Sequence, residues 1–205
     1  MGAGLETEYL ILICWGTERK EQLMSRLKQE SYDTSKDYWN LPDDVRAELI
    51  DGHLYDVAPP NFQHQKLVSE LHHALMNYVK ANQGECEVLP APFAVNLNAD
   101  DENWVEPDIS VICDRNKLSD RGCEGAPDFI IEVVSTGSRP RDYQTKMVMY
   151  ANAGVREYWI VDPMKKATTV YYFEEDVAPI VFPFGQDINV GIYGDLYVNI
   201  EALLK

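Results

Sequence analysis

Basic residues are scarce in this chain: Lys and Arg number 18 against 34 Asp and Glu, a formal net charge of −16 over 205 residues. Affinity for a phosphate backbone comes mainly from Lys and Arg, so composition by itself argues against a nucleic-acid protein. One route stays open, a bound metal that brings positive charge to an acidic surface. Long apolar runs are lacking as well. The longest near the start, Tyr9 to Trp15, is too short to span a bilayer. It follows Glu6 and Glu8 rather than a basic segment, which makes it a poor signal peptide. Cysteine is sparse and unpatterned, with Cys14, Cys86, Cys113 and Cys123 showing no Cys-x-x-Cys spacing. That reads as reduced thiols in a cytoplasmic protein, with a zinc site as the alternative. There is no GxGxxG, Walker A or GxSxG sequence, which removes the usual dinucleotide, P-loop and nucleophile-elbow chemistries. Ser135 then reads as a cap or turn residue.

What is present is enough apolar sequence, 45%, for one globular domain with a sizeable core. Residues 1–35 differ in character from the rest and read as an amino-terminal extension, with 36–205 as the domain. Within the extension Met24 begins a more ordinary amino-terminus. Pro42 to Ala47 suits a helical turn, and Ala47 to Val57 a hairpin around Asp51-Gly52. Phe62 to Ala81 places Leu67, Val68, Leu71, Leu75, Tyr78 and Val79 at helical spacing. Strands follow near Glu87–Leu97 and Val105–Cys113, then a loop at Asp120–Gly125, a strand Phe129–Val134, and a helix from Pro140 to a stop at Gly154. Glu157–Val161, Thr168–Phe173, Val177–Phe182 and Asp195–Ile200 complete the strands. The strand–helix–strand unit implies parallel pairing, and the hairpins around it antiparallel pairing. The expected class is α/β with α+β character, a central mixed β-sheet flanked by helices.

Two apolar strands each carry a carboxylate, Asp108 in Val-Glu-Pro-Asp-Ile-Ser-Val-Ile and Glu132 in Phe-Ile-Ile-Glu-Val-Val. A charge in such a run costs several kcal/mol unless paired or bound to a cation. Asp128 and Glu132 lie about 13 Å apart along one strand and cannot share a small cation. Asp108 and Glu132, on neighbouring strands ~5 Å apart, can share one, and their oxygens suit Mg²⁺ or Mn²⁺. Glu106 shares a face with Asp108. Lys146, a short loop and a helical turn after Glu132, either returns to the carboxylates or sits exposed, paired with Asp142 at i, i+4. Glu48, at the end of the helical turn leading into Ile50, offers a further ligand or is a solvated acid. His64, His72 and His73 lack the spacing of a zinc helix and read as core or surface residues, with a supporting role behind the ligands left open for His64. Tyr158 and Trp159 read as strand packing.

These residues resemble the PD-(D/E)xK restriction-endonuclease-like superfamily, and within it the Uma-type endonucleases. The matching blocks are Glu48-Leu-Ile-Asp-Gly52, Pro107-Asp-Ile-Ser-Val111, Gly125 to Ser135, Asp142…Lys146…Tyr150 and Gly154 to Pro163. The resemblance covers about residues 36–203. It implies a restriction-endonuclease-like core and Mg²⁺-dependent phosphodiester hydrolysis. By the same resemblance Asp108 and Glu132 are metal ligands, Lys146 is the catalytic lysine and Glu48 an accessory acid and ligand. One departure stands out: the lysine usually found two places after the strand carboxylate is Val134 here, and Lys146 on the following helix takes its place.

Three functions compete on this reading: a metal-dependent DNA endonuclease, an inactive nuclease-fold binding or assembly module, and a phosphoesterase acting on small nucleotides. The acidic charge and absent strand lysine favour the second, and the retained Glu48, Asp108, Glu132 and Lys146 favour the first. The apolar segments Val177–Phe182 and Tyr9–Trp15 point to a homodimer, with no membrane partner.

Overall fold

A computed structural model of the chain describes residues 32–42 and 44–205. Thr34–Lys205 form one compact unit. Of the other unit, Met1–Asp33, only Tyr32 and Asp33 are described, so the Tyr9–Trp15 run and Met24 lie outside the described residues.

The unit has mixed α/β architecture built on two six-stranded sheets and a two-stranded ribbon. The first sheet holds β1 (Ala47–Ile50), β2 (His53–Asp56), β4 (Val95–Asn96), β5 (Trp104–Val105), β7 (Leu118–Ser119) and β8 (Gly122–Glu124), in the order β2-β1-β5-β4-β8-β7. The second holds β3 (Glu87–Pro90), β6 (Ile109–Ile112), β9 (Phe129–Val133), β10 (Glu157–Asp162), β11 (Ala167–Tyr172) and β12 (Ile180–Pro183), in the order β12-β11-β10-β9-β6-β3. The ribbon pairs β13 (Ile188–Asn189) with β14 (Tyr197–Val198). Four helices accompany them: α1 (Ser35–Trp39), α2 (Phe62–Ala81), α3 (Met147–Ala153) and α4 (Ile200–Leu203).

Proline explains why there are two sheets where one was expected. Glu87–Leu97 reads as a continuous strand, but Pro90 and Pro92 interrupt it, and its halves join different sheets as β3 and β4. Pro107 likewise divides Val105–Cys113 into β5 and β6. A residue without an N–H cannot continue a ladder. The expected loop at Asp120–Gly125 contains β8 instead. Gly122, at φ +148, lets the backbone close on Ala94, where a Cβ would lie 2.1 Å from the carbonyl oxygen. At the other end, Thr34 and Asp37 cap α1 reciprocally and fix where that short helix starts.

The second sheet carries the core. β9 and β10 pair in parallel across the connection that contains α3. Alternation then sorts β9: Phe129, Ile131 and Val133 pack with Leu67, Val68, Leu71, Leu75 and Val79 of α2, while Ile130 packs with Tyr150 and Tyr158 on the α3 side. Glu132 belongs to that second face by parity. Tyr158 and Trp159 are fully buried, as strand packing requires. The thiols differ from expectation in one respect. Glu87 pairs with Ile112 in the β3–β6 ladder, which brings the next residues, Cys86 and Cys113, together as a disulfide. Cys123 is a free, buried thiol whose pKa burial pushes up to about 11, which leaves it protonated and inert.

Candidate active site

Four elements converge at one end of the second sheet. β1 supplies Glu48, which therefore sits in a strand and not at the end of a helical turn. Its ladder with β2 and β5 decides this. The residue before β6 supplies Asp108, β9 supplies Glu132, and the segment leading into α3 supplies Asp142 and Lys146. That segment, Arg141–Lys146, is a wide π-type turn preceding α3. Such i→i+5 turns recur at functional sites because they swing side chains out of the ordinary helical register. Here the turn buries both Asp142 and Lys146.

Lys146 is the hub. Its ammonium donates to Glu48 Oε1 at 2.7 Å and to Glu132 Oε1 at 2.8 Å, and lies 3.9 Å from Asp142 Oδ1. The residue is 4% exposed. The two alternatives of the sequence reading are thus merged, since Lys146 meets both the strand carboxylates and Asp142. Burial alone would lower its pKa, but Glu132 and Glu48 outweigh burial and hold it well above its ordinary value, so it is a permanent cation. Tyr150, one turn further, donates its hydroxyl to Glu132 Oε1 at 2.7 Å. Burial is also the main reason that Glu132 is pushed up to about 8, with Lys146 opposing the shift and Asp142, Asp108 and Glu48 adding to it.

Asp108 is fixed from both sides. Its Oδ2 accepts the Val133 N–H at 2.7 Å and lies 3.1 Å from His64 Nε2. Its own N–H points at Glu132 Oε2, 3.5 Å away. His64 is held by the Asn61 cap of α2, whose side chain accepts the His64 N–H. Burial disfavours the imidazolium, but Asp108 prevails and the His64 pKa is raised. Its Nδ1 is buried without a hydrogen bond, as is Asp142 Oδ1, which has only the longer ionic contact to Lys146. Glu106, which shares a face with Asp108 in sequence, pairs with Arg46 at 2.5 Å on the cleft wall, and its N–H donates to Glu48 Oε1. Ser135 turns onto Ser138 and acts as a turn residue.

Apart from Tyr150, which is buried behind Glu132, these groups line one open cleft of about 450 Å³, together with Asn61, Gln65 and Arg141. Glu48, Asp108, Glu132 and Asp142 line it together with Lys146 and Arg141, the last 3.6 Å from Glu48. Among the described residues no three His, Cys, Asp or Glu side chains converge on a common cation position. A hard cation that keeps most of its waters needs no more than one or two carboxylates. Asp108 and Glu132 fit that demand. Glu48 has Oε1 engaged by Lys146 and the Glu106 N–H, and Oε2 facing Arg141.

Residues 34–191 match the family described as Uma2, putative restriction endonuclease. The chain belongs to the Uma2 family. A crystal structure of a putative nuclease belonging to DUF820 from Anabaena variabilis superposes with a TM-score of 0.68, at 21% identity, covering 83% of this chain and 96% of that one. That similarity establishes the shared fold. An uncharacterised protein of Synechocystis sp. is 22% identical over 139 residues, 67% of this chain and 72% of its own length.

Within this Uma2 chain the cleft gathers the four candidate site residues, Glu48, Asp108, Glu132 and Lys146, and adds Asp142, His64 and Arg141, while Tyr150 supports Glu132 from behind. Asp142 reads in sequence as a surface partner for Lys146. The spacing Asp142, Lys146, Tyr150, every fourth residue, was on view in sequence, but it does not say that Asp142 is buried with Lys146.

Proposed function

We propose that this chain is a metal-dependent endonuclease that hydrolyses DNA phosphodiester bonds in the cytoplasm, using Mg²⁺ or Mn²⁺ held by Asp108 and Glu132. The observation that carries the reading is the buried Lys146 ammonium, bridging Glu48 and Glu132 beneath an open cleft that Asp108 and Glu132 line together. When bound, the divalent ion supplies Lewis acidity toward a phosphodiester oxygen and acidifies a water nearby.

The chain's own residues do the rest. Lys146 neutralises charge that grows on the phosphoryl oxygens in the transition state, which is where fixed charge lowers a barrier most. Glu48 acts by holding Lys146, since its oxygens are taken up by Lys146 and Arg141. His64 and the Val133 N–H set the orientation of Asp108. Arg141, on the cleft wall, offers charge to a flanking phosphate of the DNA. Among the described residues no helix is long and apolar enough to cross a membrane.

Nicking of supercoiled plasmid tests the proposal. Wild type should nick with Mg²⁺ or Mn²⁺ and not with EDTA. Glu132→Gln should abolish nicking, and Lys146→Ala should slow it by about 10²-fold or more. Nicking that survives both substitutions would place the chemistry elsewhere. Absence of nicking by wild type across both metals and several DNA forms would favour a binding module. We also place a homodimer contact at β12, an edge strand on which Ile180 and Val181 are 43% and 62% exposed. A monomeric mass by light scattering at micromolar concentration would argue against that contact.

A further inference from the structure

The cleft continues beyond the carboxylates. A smaller hollow of about 250 Å³, lined by Tyr55, Pro140, Gln144 and Thr145, adjoins it through Gly137 and Arg141, which border both. The β1–β2 register sets Tyr55 directly across from Glu48, so both side chains leave the same face of the hairpin. Arg141 lies between them. Its guanidinium is 3.6 Å from Glu48 Oε2, and its Cζ stands 4.8 Å from the centroid of the Tyr55 ring. Tyr55 remains 41% exposed despite that cover. A Cβ added at Gly137 would meet nothing within 4 Å, so the passage between the two hollows is wide at that point.

The contents of this hollow are an aromatic face, a guanidinium plane and two polar side chains, Gln144 and Thr145, exposed at its rim. It is smaller than the ~300–1,000 Å³ sites that enclose drug-sized ligands, and suits one flat ring system. Aromatic and guanidinium faces stack on nucleobases with little regard to sequence. Stacking also needs no excess of Lys and Arg, which a chain of net charge −16 lacks. Bases inside a duplex have both faces covered by neighbours, so such a platform is served by an unpaired base.

We propose that Tyr55 and Arg141 form a stacking platform for one unpaired base beside the cleaved phosphodiester, and that the substrate is single-stranded or locally unpaired DNA. The substrate class rests on the nuclease reading, whereas the platform is tested by binding alone. The probes are a short single-stranded oligonucleotide carrying 2-aminopurine, whose fluorescence is quenched on stacking, and a blunt duplex of the same length. Both are titrated in Ca²⁺, an oxygen-seeking ion of the same charge as Mg²⁺. Wild type should bind the single strand with quenching and prefer it to the duplex. Tyr55→Ala should weaken single-strand binding by about tenfold and remove the quenching, Tyr55→Phe should retain both, and duplex binding should not change. Equal single-strand affinity and quenching in wild type and Tyr55→Ala would overturn the platform even if plasmid nicking is found. Loss of quenching in Tyr55→Ala by a wild type that cleaves nothing would support the platform and sink only the nuclease reading. A wild type that binds duplex alone would overturn it outright.

Discussion

At Lys146 one ammonium serves two carboxylates, Glu48 and Glu132, whose side chains are 4% and 5% exposed. Removing one member of a buried ion pair strands the others, at a cost of about 3–5 kcal/mol. Lys146→Ala should therefore lower stability by that amount in chemical denaturation at neutral pH, as well as slowing cleavage. Lys146→Arg should recover stability better than activity, because a planar guanidinium does not replace a compact ammonium. A second buried acid gives a pH signature away from the cleft. Glu157 is 1% exposed and accepts from Trp159 Nε1 and the Ile192 N–H. Burial outweighs those donors and pushes its pKa up to about 7 from 4.5. A carboxyl with a raised folded pKa binds its proton more tightly folded than unfolded. Its contribution to stability is thus fully present below about pH 4.5 and is lost as pH rises to about 7, by up to ~3 kcal/mol. Glu157→Gln should flatten the decline in Tm between pH 5 and 7.5, whatever the amide costs overall. An unchanged slope would show that Glu157 is ionised throughout.

The turn Arg141–Lys146 and its anchors are the element on which the site depends. Arg139, two residues before the turn, makes a bidentate contact to Asp162 at 2.6 and 2.9 Å, and Asp162 is fully buried at the end of β10. Tyr143 within the turn donates to the same carboxylate. Arg139→Ala should cost about 2 kcal/mol in thermal unfolding, less than a fully buried pair because the guanidinium is 28% exposed. It should also speed hydrogen exchange across residues 141–147, which a purely local loss would leave alone. This element was only half legible in the sequence. Helical periodicity and Gly154 marked where it lies and ends, but no pattern announces a π-type turn, which depends on tertiary contacts such as Arg139 with Asp162. The strands of the core were legible from Val and Ile runs, and the Asp51-Gly52 turn from its residues. Those positions take φ +49 and +70, as a two-residue hairpin requires. The division into two sheets was not legible, because β4, β5, β7 and β8 are two or three residues long and carry too little periodicity to register. The short helix α1 was not legible either: it owes its place to Tyr38 packing with Leu49 and Trp104.

For the molecule as a whole, the acidic surface and the acidic cleft act together. With a net charge of −16, the chain repels DNA except where charge is compensated locally, by the Arg141 and Lys146 side chains and by a bound cation. DNA affinity should therefore depend on divalent ion more steeply than on monovalent salt, which fluorescence anisotropy in Mg²⁺-containing and EDTA buffers would check. Asp108 and Glu132 were legible as candidates because carboxylates in apolar strands demand a partner. Asp142 was not, because its burial is created by the fold and not by its neighbours in sequence. The central claim is that Asp108 and Glu132 together hold a divalent cation, and crystals soaked in Mn²⁺ test it most directly. An anomalous peak touching both carboxylates, with ligand distances near 2.1 Å and absent from Glu132→Gln crystals soaked alike, is the predicted result. A cleft without such a peak in wild-type crystals, with Lys146 still bridging Glu48 and Glu132, would contradict it.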